Sequence, residues 1–177
     1  GSVTAYDING NELLREYGTQ ANAHLGASVA AADVNSDGYD DALAGAPIDK
    51  NGTLQAAGSV TVFSGSSGTE LAKKFGATTK SFLGNSVAVG DVNSDGFADI
   101  IAGAWKDDKP DATPIKDAGS VFIWSGNGYA LISSLYGDVA RDYFGAAISA
   151  GDIDGDGKAD VIIGITGADG LPLNLLR

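Results

Sequence analysis

Three short stretches carry most of the chemistry that this sequence can perform. They are Asp33-Val34-Asn35-Ser36-Asp37-Gly38-Tyr39-Asp40-Asp41, Asp91-Val92-Asn93-Ser94-Asp95-Gly96-Phe97-Ala98-Asp99 and Asp152-Ile153-Asp154-Gly155-Asp156-Gly157-Lys158-Ala159-Asp160. In each, oxygen-bearing side chains stand at positions 1, 3, 5 and 9, and position 6 is glycine. Ten of the 23 acidic residues fall on these positions, and carboxylates crowded so closely repel one another unless a cation lies among them. A segment that curls around an ion presents alternate side chains inward. The glycine takes the sharp reversal, and the backbone carbonyl of position 7 turns in, so side-chain identity there is free. Such an oxygen-only set suits Ca²⁺, which takes six to eight hard ligands at roughly 2.3–2.6 Å, better than Mg²⁺, which prefers rigid six-coordination and keeps its waters. The expected ligands are Asp33, Asn35, Asp37, Tyr39 and Asp41 in the first loop, Asp91, Asn93, Asp95, Phe97 and Asp99 in the second, and Asp152, Asp154, Asp156, Lys158 and Asp160 in the third. The third loop has four Asp where the others have three and an Asn, so by charge count it binds tightest.

An EF-hand would need Glu at position 12 and flanking helices. Position 12 is Ala44, Ala102 or Ile163, and the neighbouring residues alternate as strands do. The nonapeptide pattern of RTX calcium repeats is also absent. One such loop alone is compatible with a metal-free Asx-rich turn; three copies at matched places favour the ion.

The loops belong to an internal repeat. Leu25-Gly26-Ala27-Ser28-Val29 returns as Leu83-Gly84-Asn85-Ser86-Val87 and as Phe144-Gly145-Ala146-Ala147-Ile148. The loops begin 58 and 61 residues apart, and Gly1-Ser2-Val3 recurs as Gly58-Ser59-Val60 and Gly119-Ser120-Val121. The repeats run approximately 1–57, 58–118 and 119–177 within a single domain of 177 residues. Each unit holds four expected strands. The first covers 28–33, 86–91 and 147–152; the second, short and rich in β-branched residues, covers 41–45, 99–103 and 160–164. The third alternates over 59–63 and 120–124, and the fourth follows a Gly/Ser/Asn turn and ends near Lys74 or Leu135. Four short strands per unit of this length point to an all-β protein of β-propeller blades, with a β-sandwich of hairpins as the alternative.

Composition narrows the function. Net charge is −12, which disfavours nucleic acid and anionic membranes as partners. There is no cysteine, so disulfides, thiolate metal sites and cysteine catalysis are excluded. No apolar run is long enough to insert in a membrane, and no signal peptide is visible in this chain. The single histidine, His24, aligns with Phe82 and Tyr143 and reads as a packing or rim residue. Ser66-Ser67 has no evident base, and no nucleophile elbow, phosphate loop or zinc motif occurs, so the chain is not expected to be an enzyme.

The motifs flanking the loops resemble FG-GAP repeats. Leu25-Gly26, Leu83-Gly84 and Phe144-Gly145 stand for the "FG"; Gly45-Ala46-Pro47 reproduces the "GAP"; Gly103-Ala104-Trp105 and Gly164-Ile165-Thr166 are degenerate forms of it. The family includes the N-terminal β-propeller of integrin α subunits, bacterial surface proteins, lectins and domains of some secreted hydrolases. The resemblance implies a propeller with structural Ca²⁺ in the loop joining strands 1 and 2 of each blade, on the residues named above, three ions in all. It implies cell-adhesion-type or extracellular ligand binding at the cell surface or outside the cell. The alternatives are a lectin-like or non-catalytic domain of a secreted enzyme and an excised or designed self-assembling scaffold. The opposite face is expected to carry Trp105, Lys106, Asp107, Asp108, Lys80, Arg141, Asp142 and Tyr143, with Trp105, Lys106, Arg141 and Tyr143 as candidate contacts to a protein or glycan. Family propellers usually have seven blades, and this sequence has material for three, starting at a third strand and ending after a second. The chain is therefore expected to be half of a six-bladed propeller, a homodimer in which 160–164 of one chain pairs with 2–6 of the next, or a fragment of a larger one.

Overall fold

Short alternating segments separated by glycine-rich turns cannot bury both faces alone, so they stack as small sheets. The computed structural model describes residues 1–167; the remainder of the third repeat lies outside the described residues. The strands are β1 (Ser2–Tyr6), β2 (Glu12–Tyr17), β3 (Ser28–Ala32), β4 (Asp41–Ala46), β5 (Ser59–Phe63), β6 (Glu70–Phe75), β7 (Ser86–Gly90), β8 (Asp99–Ala104), β9 (Ser120–Trp124), β10 (Leu131–Tyr136), β11 (Phe144–Gly151) and β12 (Asp160–Ile165). They form two complete antiparallel meanders, β3-β4-β5-β6 and β7-β8-β9-β10, flanked by the half-sheets β1-β2 and β11-β12. These are propeller blades, and β1-β2 supplies the third and fourth strands of a blade while β11-β12 supplies a first and second.

The expected strands are present with small shifts. The first strands stop at Ala32, Gly90 and Gly151, one residue before the Asp that opens each acidic loop. That Asp already accepts hydrogen bonds from the loop and so leaves the ladder. The second strands run one residue beyond the expected glycine, to Ala46, Ala104 and Ile165.

Sheet faces meet in three layers. Val3, Leu14, Leu25, Ala44 and Phe63 join β1-β2 to the first complete sheet. Leu43, Val60, Val62, Val87, Ile100 and Trp124 lie between the two complete sheets. Ala88, Ile101, Val121 and Ile123 meet Ile148, Val161 and Ile163 of the last half-sheet. Trp124 and Phe63 are thus core residues, as their alternation implies. The first strands β3, β7 and β11 pack successively against one another, with β7 also on β4 and β11 also on β8. Close stacking depends on glycine: a β-carbon on Gly45 would collide with the Gly84 carbonyl oxygen, and one on Gly103 with that of Gly145.

Candidate metal centre

The up-and-down order places every strand 1–2 loop at one end of the sheets and every 2–3 and 4–1 connection at the other. The three acidic loops therefore share an end, and they touch. The Ala159 N–H donates to the Asp91 carbonyl at 2.9 Å, and the Ser36 hydroxyl lies 3.4 Å from the Gly96 carbonyl oxygen.

Inside each loop the side-chain oxygens converge on the backbone they have curled. Asp33 accepts from the N–H groups of Asp37 (3.0 Å) and Gly38 (2.8 Å). Asn35 Oδ1 accepts from Asp37 N–H at 2.9 Å, and Asp37 Oδ1 from Tyr39 N–H at 2.9 Å. The second loop repeats this: Asp91 accepts from Asp95 and Gly96, Asn93 from Asp95, and Asp95 from Phe97. In the third, Asp152 accepts from Gly155 and Gly157, Asp154 from Asp156, and Asp156 from Lys158. The glycine at position 6 makes the curl possible: Gly38, Gly96 and Gly157 have φ of 88°, 85° and 87°, where a side chain is strained.

Position 9 anchors the loop to its sheet. Asp41 is buried and accepts from Val34 N–H at 3.1 Å and from Gly65 N–H, after β5, at 3.0 Å. Asp99 is buried likewise, with Val92 N–H at 2.9 Å and Gly126 N–H at 3.1 Å. Burial pushes both carboxyls above the ordinary Asp range, although these N–H groups pull the other way. Asp160 accepts from Ile153 N–H at 2.9 Å. Asp37 is held below the ordinary range, chiefly by the Tyr39 N–H.

The donor set passes a test of fit for a hard cation. Oxygen atoms of Asp152, Asp154 and Asp156 lie within 4.8 Å of one another, and all three side chains are exposed. Neighbouring carboxylates at that spacing repel unless a cation is shared between them. In the first two loops Asn35 or Asn93 stands in the middle, and its amide nitrogen donates to Asp37 or Asp95 at 3.2 Å, which relieves part of the charge. Two further hydroxyls here have no direct sign in the residue order. Ser66 donates to Asp37 at 3.1 Å, and Ser125 lies 3.5 Å from Asp95, both from the hairpin after the third strand.

At the opposite end, the structure brings three of the four candidate ligand contacts together. Trp105 packs edge-on to Tyr143, with ring centroids 5.1 Å apart, and tilted on Phe82 at 5.8 Å. The Lys106 ammonium lies 4.6 Å from the Trp105 ring centroid. Arg141 is exposed nearby in the sequence, and its backbone N–H donates to Lys116 O at 3.0 Å. Asp107, expected on this face, is instead buried: its carboxylate accepts from Thr78 at 2.6 Å and Ser120 at 2.9 Å. It is a structural pin between sheets, matched in the previous repeat by buried Asp49, which holds Ser59 and Lys73. Asp108 pairs with Lys116. His24, Phe82 and Tyr143 share a backbone feature not legible in their residue types, φ of 62°, 57° and 57°; His24 is exposed, at the rim.

Comparisons with known proteins agree with the repeat pattern. The family model described as FG-GAP repeat matches residues 25–63, 83–124 and 144–173. The chain is 31% identical to integrin alpha-3 of Cricetulus griseus over 88% of its own length and 16% of that protein's. It is 31% identical to integrin alpha-PS5 of Drosophila melanogaster over 98% of this chain and 18% of that one, and 33% identical to integrin alpha-V of Gallus gallus over 96% and 17%. It thus spans under a fifth of the length of these relatives. Among solved structures, the crystal structure of rhamnogalacturonan lyase YesW matches with a TM-score of 0.53 at 16% identity, over 93% of this chain and 34% of that one, a likeness of fold alone.

Proposed function

The chain belongs to the FG-GAP repeat family, and from that premise we propose that it is a calcium-binding propeller module of the adhesion type, whose ions are structural and whose ligand face lies at the opposite end of the blades. The observation that carries the reading is the threefold repetition of one loop build, with three carboxylates drawn within 4.8 Å in the third copy. Asp33, Asn35, Asp37, Asp41 and their counterparts Asp91, Asn93, Asp95, Asp99 and Asp152, Asp154, Asp156, Asp160 would hold the ions, with the carbonyls of Tyr39, Phe97 and Lys158. A bound Ca²⁺ supplies the positive charge that lets these carboxylates stand together. The chain's own contribution is the curl that gathers the oxygens and the ninth-position Asp that ties each loop to its sheet. No catalytic role is proposed, since the titratable groups of the loops are committed to this task.

The ligand face is the cluster of Trp105, Tyr143 and Lys106 with Arg141 at its margin. Aromatic surface beside fixed positive charge suits an acidic protein segment. A glycan is the second candidate, favoured by the half-buried tryptophan–tyrosine edge. An extracellular or cell-surface location accords with both, and with the similarity to integrin alpha chains. On the partner side we also propose a second copy: two chains bring four complete blades and the halves of two more, a six-bladed ring. The cation reading is tested by thermal melts with calcium and with a chelator. Chelation should lower the melting temperature, and an unchanged melt would remove the structural role assigned to the ion.

A further inference from the structure

Stacked sheets leave a seam between them, and the repeat allows two seams to be matched residue by residue. Between the two complete sheets the seam is filled by aromatic side chains. Phe122 stacks on Trp124 with ring centroids 5.7 Å apart, and Tyr136 meets Phe122 edge-on at 6.1 Å. Tyr129, in the hairpin after β9, packs against the same layer. One seam earlier, between β1-β2 and the first complete sheet, the matched side chains are smaller or charged. The ladders put Thr61 at the place of Phe122, Phe63 at that of Trp124 and Glu70 at that of Leu131. Gly68 stands for Tyr129: each precedes the residue whose carbonyl closes the hairpin, and their φ angles are 75° and 61°.

The exchange leaves a cavity of about 360 Å³ where interiors are ordinarily close-packed. Glu16, Tyr17, Thr61, Phe63, Glu70 and Lys73 line it, so it lies beside the fourth strands β2 and β6, and no residue of β1 reaches it. Its polar groups are not all used by the fold. At its floor Asp49, 1% exposed, holds the Lys73 ammonium at 2.9 Å. Glu16 stands opposite Val3 on the inward row of β2, and its Oε1 comes 2.7 Å from the place of a β-carbon on Gly68. Among the described residues no cation pairs with Glu16 or Glu70. Thr61 is 2% exposed, and among the described residues its hydroxyl has no hydrogen-bond partner. No fully enclosed side-chain oxygen or nitrogen lacks one, so this hydroxyl opens onto the cavity.

We infer that this cavity is a binding site for a small organic cation, an ammonium or amidinium group carried on a compact apolar body. Three carboxylates line it against one ammonium, and the Asp49–Lys73 pair neutralises itself. Glu16 and Glu70 are left to meet positive charge, and an anion is repelled. The N–H groups of the cation donate to these carboxylates and to the Thr61 hydroxyl, bonds strengthened by the charge on both partners. Tyr17 and Phe63 present ring faces, which attract a cation and cover its apolar body. The volume suits a small molecule. A bare metal ion fits poorly, since a hard cation takes six to eight oxygens and the wall here includes Ala23, Leu25 and Phe63. The site is separate from the acidic loops and from the Trp105 cluster, none of whose residues line it.

The test is titration calorimetry of the chain in calcium-containing buffer. The probe is benzamidine, a charged amidinium on a flat apolar ring, and neutral benzamide of nearly the same shape is its control. Benzamidine should be taken up saturably at a single site, and benzamide about tenfold or more weakly. Gly68→Tyr imports the Tyr129 side chain on a backbone of the same hand, meeting only the end of the flexible Glu16 side chain and Leu14. It should fill the cavity and abolish uptake without lowering the thermal midpoint. Glu16→Gln keeps the volume and removes one charge, and should weaken benzamidine about tenfold while the β circular-dichroism spectrum persists. Should Gly68→Tyr fold poorly, Glu16→Gln decides alone. No saturable uptake of benzamidine overturns the site. Equal affinity for benzamide overturns its preference for a cation. Uptake unchanged by Glu16→Gln, or surviving in folded Gly68→Tyr, puts the probe elsewhere on a chain of net charge −12 and overturns the assignment.

Discussion

Asp41 and Asp99, at position 9 of the first two loops, are set by burial to respond to protons. Burial raises the Asp41 and Asp99 carboxyls above their ordinary value, which favours the protonated form whenever no cation is bound. Because the folded-state pKa is the higher one, their contribution to the stability of the cation-free protein is present below the unfolded value and is lost as pH rises through the raised one. On the proposed reading calcium requires the carboxylate, so its binding would reverse the preference and expel protons. Calcium affinity measured by calorimetry should therefore fall as pH is lowered from neutrality toward the carboxylate range, and an affinity flat across that window would remove these residues from the site. At the same scale, Asn35→Asp restores the third loop's charge count to the first and should tighten calcium binding there. Asp107 serves packing instead: Asp107→Ala leaves the Thr78 and Ser120 hydroxyls without their acceptor and should cost about 1–3 kcal/mol in urea unfolding.

Strands and sheets depend on glycine for how closely they can stack. Gly103→Ala drives a β-carbon into the Gly145 carbonyl and should destabilise by about 1–3 kcal/mol. Gly151→Ala, where a β-carbon meets open space, should instead be neutral or stabilise by up to about 1 kcal/mol. Comparing the two midpoints in denaturant checks the stacking account, and equal effects would contradict it. The strands were legible because apolar alternation and the repeat reinforce each other: 59–63 and 120–124 match β5 and β9 residue for residue. Their ends at the acidic loops were displaced because the opening Asp turns its carboxylate to the loop backbone before the ladder is finished. The Asp107 pin was not legible. A charged residue in a connection is ordinarily solvated, and its two hydroxyl partners come from 29 residues before it and 13 after it. Nor do the types of His24, Phe82 and Tyr143 signal the left-handed backbone they share, since a positive φ is usually marked by glycine or asparagine.

For the whole molecule, the net charge of −12 and the gathering of ten acidic side chains at one end make cation binding a matter of stability. An ion that binds only the folded chain stabilises it by about 2.7 kcal/mol per site at a hundredfold excess over its Kd. Three such sites compare with the roughly 5–15 kcal/mol that holds a typical domain together. If two chains close one ring, as proposed, the melting temperature should rise with protein concentration. The repeat, the loops and the blades could be read from the residues in order. The most direct test of the central claim is titration calorimetry of Ca²⁺ into the chelator-treated chain. The account predicts saturable uptake of three ions per chain, the four-Asp third loop filling first; a chain that takes up none at about millimolar calcium would contradict it.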